Sequence, residues 1–66
     1  MIFYCVVTEF YDSGKVKAWI TNHAGAKDEN DLPKARMEEK KNKDIYFDYF
    51  TDKNEAIKFC DEAKRA

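Results

Sequence analysis

Hydrophobic residues near the start of the chain follow the two-residue period that is typical of β-strands. Residues 2–11 are β-branched or aromatic almost throughout, and residues 16–21 form a shorter run of the same kind. Residues 12–14 separate the two runs, and Gly14 can adopt the left-handed conformation that closes a type I turn with a bulge. This pattern predicts an antiparallel β-hairpin.

The alternation of side chains along this hairpin predicts what each of its two faces carries. With Tyr11 opposite Lys15, the even-numbered residues form one largely apolar face, which we expect a helix to cover. The odd-numbered face pairs Val7 with Trp19, and aromatic and β-branched side chains are favourable cross-strand neighbours. Four apolar residues project from this second face: Phe3, Cys5, Val7 and Trp19. Without a second helix they would form an exposed apolar patch.

The middle of the chain, residues 27–44, is dominated by charged side chains of both signs and cannot supply a core. Residues 22–31 read as a loop. Residues 33–41 fit either a short helix or a weak edge strand that turns into the next strand. The strand is favoured because Ala35 and Met37 alternate and because flanking charges protect an edge from pairing with other chains.

The last third of the chain predicts a strand followed by a helix. Residues 45–50 have aromatic side chains on both faces, with Phe47 and Tyr49 on one and Tyr46 and Phe50 on the other, as in a central strand or an interface strand. Asp52 begins an amphipathic helix, with Glu55 placed to complete a capping-box-like pair. One arc of this helix carries Ala56, Ile57, Phe59, Cys60 and Ala63.

Together these elements predict an α+β fold within a single domain that spans residues 1–66. An antiparallel sheet of three to four strands, comprising the hairpin, the weak edge strand and the later strand, is packed on one face by a single C-terminal helix. A chain of this length buries only about 60% of the surface that its unfolded form exposes. Such a domain often needs an oligomeric interface for stability.

Composition narrows the classes of partner. The formal net charge is −1, from 12 basic and 13 acidic residues, which weakens the electrostatic case for nucleic acid or an acidic membrane. No window is apolar for long enough to span a membrane, and residues 1–7 lack the features of a signal peptide. The two cysteines are too few for a secreted domain of this size, so we expect free thiols and a cytoplasmic location.

No constellation of residues predicts catalysis, a metal or a cofactor, so an enzyme is not expected. His23 is the only histidine and has no second ligand nearby in sequence. The acidic run at 28–31 lacks the spacing of a calcium loop. Ser13 is explained by turn chemistry, and Cys5 has no cationic neighbour that would activate its thiol. Only two glycines are present, which excludes a glycine-rich phosphate loop.

Basic side chains are concentrated in one segment, although acidic residues interrupt them. This basic cluster consists of Lys34, Arg36, Lys40, Lys41 and Lys43. A solvated, self-paired surface is the simplest interpretation. Aromatic side chains flanked by Lys and Arg on a sheet can nevertheless stack the bases of single strands.

Residues 50–59, Phe-Thr-Asp-Lys-Asn-Glu-Ala-Ile-Lys-Phe, resemble the strand-to-helix junction of several small domains, including the hybrid-binding N-terminal domain of ribonuclease H. The resemblance covers about ten residues and is largely a helix-capping pattern. The basic, Trp-containing nucleic-acid surface of that family has no counterpart in this sequence. The resemblance therefore implies a similar strand-to-helix junction, and we infer no function from it.

The sequence favours a non-catalytic binding or accessory protein that associates with itself as a homodimer, or with another protein, through an aromatic sheet face. The predicted partner-binding residues are Phe3, Val7, Trp19 and Tyr46. The alternative is a nucleic-acid-binding module that uses the sheet aromatics and the basic cluster.

Overall fold

The computed structural model describes residues 1–65 and shows a four-stranded antiparallel sheet with one helix against one of its faces. The predicted α+β class is confirmed. Along the sheet the strand order is β2-β1-β4-β3, so two hairpins lie side by side and β1 and β4 form the centre. The elements are β1 (Phe3–Tyr11), β2 (Val16–His23), β3 (Arg36–Glu39), β4 (Lys43–Phe50) and α1 (Lys53–Lys64), with a 3-10 turn at Glu29–Asp31.

The first hairpin has the predicted turn and register. The amide of Gly14 donates to the carbonyl oxygen of Tyr11 at 2.9 Å, and the amide of Tyr11 donates to the carbonyl oxygen of Lys15 at 2.8 Å. Gly14 has a φ of 91°, a value that residues with a side chain rarely adopt. The ladder then pairs Val7 with Trp19 as expected.

The predicted edge strand is confirmed as β3, although it is only four residues long. It pairs with β4 through a tight turn in which the amide of Lys40 donates to the carbonyl oxygen of Lys43 at 2.8 Å. The strand β4 begins two residues earlier than the sequence predicts. Asn22 and His23 belong to β2 instead of a loop, because β1 extends far enough to pair with both of them.

The segment 24–35 joins strands on opposite edges of the sheet and must therefore cross its end. The N-terminal ammonium group of Met1 donates to the carbonyl oxygen of Ala26 at 2.8 Å, and Ala26 is buried. The acidic run serves local turns, since the Asp28 side chain accepts from the amide of Asn30 and Asp31 accepts from the amide of Lys27. The contact with Met1 anchors the crossing segment at the end of the sheet where β1 begins.

The helix docks on the even-numbered face, as predicted. Asp52 caps it by accepting a hydrogen bond from the amide of Asn54 at 2.9 Å. Val6, Ala56 and Cys60 are buried at the contact, and the partly buried residues around them are Tyr4, Ala18, Ile20 and Phe50. This core is small, because Val6 is the largest fully buried side chain.

The position of α1 on the sheet is asymmetric. The helix packs chiefly against β2 and β1 and contacts β4 only slightly. Its small side chains approach the sheet, whereas Ile57 and Phe59 lie on the two flanks of the helix and remain 40% and 37% exposed. The apolar arc that the sequence predicts for the helix is therefore wider than the part of α1 that is buried against the sheet.

Candidate functional site

The sheet face opposite α1 is the predicted candidate surface, and we refer to it as the open face. It carries the odd-numbered residues of β1, β2 and β4 together with Arg36 and Glu38 of β3. The pairing of β1 with β4 places Phe47 beside Val7 and Tyr49 beside Cys5. The open face thus combines aromatic side chains from three strands.

One half of the open face is aromatic. The rings of Phe3 and His23 stack with their centroids 5.2 Å apart, and the ring of Tyr49 lies 6.1 Å from that of Phe3. The guanidinium group of Arg36 lies 4.1 Å from the centroid of the Phe47 ring, at cation–π distance. These residues line a shallow cleft of about 290 Å³, to which the crossing segment contributes Pro33.

The apolar patch predicted from the sequence is smaller in the structure. Cys5 and Val7 are only 3% and 8% exposed, although α1 packs on the other face of the sheet. They lie on a central strand, and larger neighbours on both sides shield them, with Trp19 and Phe47 flanking Val7. Trp19 remains 41% exposed because it lies on the edge strand β2. The exposed apolar surface is therefore provided by an aromatic rim, which consists of Phe3, Trp19, Phe47 and Tyr49.

The thiol of Cys5 belongs to this buried floor. Burial raises its pKa, and hydrogen bonds from Tyr49 and Thr21 oppose that shift only partly. Both Cys5 and Cys60 are free and buried. A thiol with a raised pKa is a poor nucleophile, because less of it is present as thiolate.

The other half of the open face is charged and internally paired. Lys43 lies 2.7 Å from the carboxylate of Glu9, which also accepts a hydrogen bond from the hydroxyl of Tyr11 at 2.9 Å. The hydrogen bond from Lys43 lowers the pKa of Glu9, and the same bond raises the pKa of Lys43. Arg36, which lies over Phe47 at the border with the aromatic half, forms a second ion pair with Glu38. Both signs of charge are present on this half.

The structure does not bring all four predicted partner-binding residues together. Phe3, Val7 and Trp19 share the open face, but Tyr46 lies opposite Thr8 on the helix face. The ring of Tyr46 packs edge-on against Phe10 with centroids 5.5 Å apart and is 39% exposed. The register between β1 and β4 decides this placement, and neither strand encodes that register by itself.

The basic cluster is partly neutralised. Besides the pairs made by Arg36 and Lys43, the ammonium group of Lys40 lies 3.8 Å from Glu38. Sequence reasoning missed the contributions of Arg36, Phe47 and Tyr49 to the open face. For Phe47 and Tyr49 the available signal was the alternation of residues 45–50, which placed both side chains on the same face of their strand. It did not show which face of the hairpin that face would join.

Two further findings concern residues 1–65. None of their His, Cys, Asp and Glu side chains form a group of three or more that could hold a metal ion. His23 instead forms a hydrogen bond through Nε2 with the hydroxyl of Thr21 at 2.7 Å. Within the same part of the chain, no helix has the length and apolar character needed to cross a membrane.

Comparison of the chain with models of protein families, with curated proteins and with solved structures gave no match. A function is therefore inferred from the geometry and chemistry of the residues themselves.

Proposed function

We propose that this protein is a small, cytoplasmic, non-catalytic binding protein that forms a homodimer through its open face. The observation that supports this proposal is the position of Trp19. Its side chain is 41% exposed on a helix-free sheet face and lies beside a cleft lined by aromatic rings. Tryptophan buries more apolar area than most side chains and is enriched among the residues that contribute most to binding at interfaces.

The small core supports self-association as a source of stability. Val6, Ala56 and Cys60 form a core cluster with little volume, and a chain of 66 residues has few other groups to bury. A second copy brings an identical aromatic rim, so a twofold axis through the open face buries each Trp19 against the partner surface. Association of this kind adds apolar burial that the monomer lacks.

The charges of the open face are compatible with an identical partner. Glu9 with Lys43 and Arg36 with Glu38 place both signs of charge on the open face. A surface that carries one sign of charge would repel its own copy, whereas a mixed surface does not. Lys17 adds one more cation on the open face, near the ring of Tyr11.

The test is the molar mass in solution, measured by size-exclusion chromatography with light scattering over a concentration series. We expect the wild type to have the mass of a dimer at high concentration, and Trp19→Lys to have the mass of a monomer. Ile57→Lys is the matched control, since Ile57 is 40% exposed but lies on the helix at the opposite face of the sheet. This control variant should still dimerise.

A wild-type protein that is monomeric at all concentrations contradicts the proposal. Equal dimerisation of the Trp19→Lys and wild-type proteins also contradicts it, because the interface must then lie elsewhere. Circular dichroism of both variants establishes that the introduced charge has not unfolded the sheet.

A second candidate function is the binding of single-stranded nucleic acid, and one contact favours it. Arg36 lies over the ring of Phe47 beside the stacked rings of Phe3 and His23, and planar bases stack on such surfaces. The pairing of Lys43 with Glu9 leaves less positive charge for phosphates. Fluorescence anisotropy with labelled oligo(dT) and oligo(U) at low salt tests this function, and the absence of any binding there excludes it.

A further inference from the structure

The asymmetric position of α1 leaves a groove on the helix face of the sheet, on the side opposite the open face. This groove lies between the helix and β4 and has a volume of about 290 Å³. It is separate from the proposed dimer surface, because its sheet residues are even-numbered. Its lining includes three aromatic side chains, Phe10, Tyr46 and Phe59, and three other polar side chains, Thr8, Asp48 and Glu62.

The aromatic walls offer ring surfaces to a ligand. The rings of Phe10 and Tyr46 are perpendicular, with an interplanar angle of 88°. Phe59 completes the wall from the helix side, where its ring lies 5.2 Å from that of Phe50. Tyr46 and Phe59 are both more than a third exposed. The faces of aromatic rings carry partial negative charge and therefore attract cations. They also pack against alkyl groups through apolar contact.

The polar groups of the groove can accept hydrogen bonds. Thr8 is only 2% exposed, and its hydroxyl has no hydrogen-bond partner within residues 1–65. An unpartnered buried hydroxyl is rare in proteins and unfavourable. Asp48 is partly buried in the same groove, and loss of water raises its pKa. Glu62 adds a second carboxylate, and among the residues that the structure describes no Lys or Arg lines the groove.

We propose that this groove binds a small primary alkylammonium ion. The ammonium group donates a hydrogen bond to Asp48, and the alkyl chain lies against Phe10, Tyr46 and Phe59. The hydroxyl of Thr8 is buried below the groove surface, and rotation of this side chain brings it within reach of the same ammonium group. A cation is favoured over a neutral or anionic ligand because the carboxylates and the ring faces all attract positive charge. The volume is at the lower end of the range for small-molecule sites, which suits a free amine better than a peptide.

Titration of ¹⁵N-labelled protein with n-butylammonium, followed by two-dimensional NMR, tests the proposal. We expect saturable shifts in the millimolar range at the amides of Thr8, Tyr46, Asp48 and Glu62. Butan-1-ol, a neutral ligand of similar shape, should bind about tenfold more weakly. Equal binding of the alcohol, shifts confined to other surfaces, or no saturable shift would each overturn the proposal. Nα-acetyl-lysine methylamide should bind no more tightly than n-butylammonium, and tighter binding would overturn the assignment to a free amine.

Two substitutions with a matched control locate the site. Asp48→Asn should weaken n-butylammonium binding about tenfold. Asp44→Asn removes the same charge from the same strand and face but outside the groove lining, so it should leave binding nearly unchanged. Thr8→Val should also weaken binding severalfold while the protein stays folded. Equal effects of Asp48→Asn and Asp44→Asn would contradict the site, as would unchanged binding by Thr8→Val.

Discussion

Val7 and Trp19 lie directly opposite each other across β1 and β2 on the open face, yet Val7 is buried and Trp19 is 41% exposed. The difference arises because Val7 has a neighbouring strand on each side, whereas Trp19 has one on only one side. The indole therefore shields the centre of the sheet while presenting its outer surface to solvent or to a partner.

Trp19 is the only tryptophan, so its fluorescence reports directly on the open face. We expect the emission maximum to move to shorter wavelength as the protein concentration rises, because dimerisation would remove water from the indole. The Ile57→Lys variant should show the same shift, since Ile57 lies on the other side of the sheet. An emission maximum that is independent of concentration, in a sample whose mass changes from monomer to dimer, would show that the open face is not the interface.

Truncation of the central core residue should strongly destabilise the fold. Val6 is completely buried between the sheet and the helix, so Val6→Ala removes two buried carbon groups and leaves a cavity. We expect the free energy of unfolding to fall by about 2 kcal/mol. Urea denaturation measures the change. Val16→Ala, at a half-buried position near the hairpin turn, is the control and should lose clearly less.

Removal of the unpartnered hydroxyl of Thr8 should stabilise the fold. Thr8→Val keeps the shape of the side chain but eliminates a buried polar atom that has no partner in the part of the chain that the structure describes. We expect the free energy of unfolding to rise by about 1 kcal/mol in urea denaturation. In contrast, Thr21→Val breaks the hydrogen bond with His23 and should not stabilise the protein. A loss of stability in Thr8→Val would indicate that the hydroxyl is satisfied in solution.

The ion pair between Glu9 and Lys43 should make stability depend on pH. Because the pKa of Glu9 is lower in the folded state, its contribution is fully present above the unfolded value near 4.5 and is lost as the pH falls through the folded value. We therefore expect Glu9→Gln to be less stable than the wild type at pH 7 and the difference to shrink towards pH 3.

Lys43 limits the stabilisation by this ion pair at high pH, since its pKa is raised above the usual 10.5. Its contribution to stability is present below the unfolded pKa and is lost as the pH rises through the folded pKa.

Urea denaturation of the wild type and of Glu9→Gln from pH 3 to pH 8 tests the contribution of Glu9. Glu39→Gln, at an exposed carboxylate of β3, is the control and should show little pH-dependent difference. A constant difference between wild type and Glu9→Gln across this range would contradict the role of the ion pair.

The local sequence determined the elements of this protein. Alternation along residues 2–21 predicted the hairpin and its faces, Gly14 allowed its turn, and Asp52 marked the start of the helix. These features depend on neighbours within a few residues, where steric limits and hydrogen-bonding capacity of the backbone leave few alternatives. For residues 33–41 local alternation and flanking charges only favoured an edge strand over a short helix, and Ala35, one of the two alternating residues, lies outside β3.

Only the tertiary structure decided how these elements combine into surfaces. The pairing of β1 with β4 placed Phe47 and Tyr49 on the open face and sent Tyr46 to the helix face. The lateral position of α1 exposed Phe59 and left the groove beside β4. Such features depend on contacts between residues distant in sequence. Their geometry is set by the packing of the whole chain, because each strand alone could pair in several registers with similar local energy.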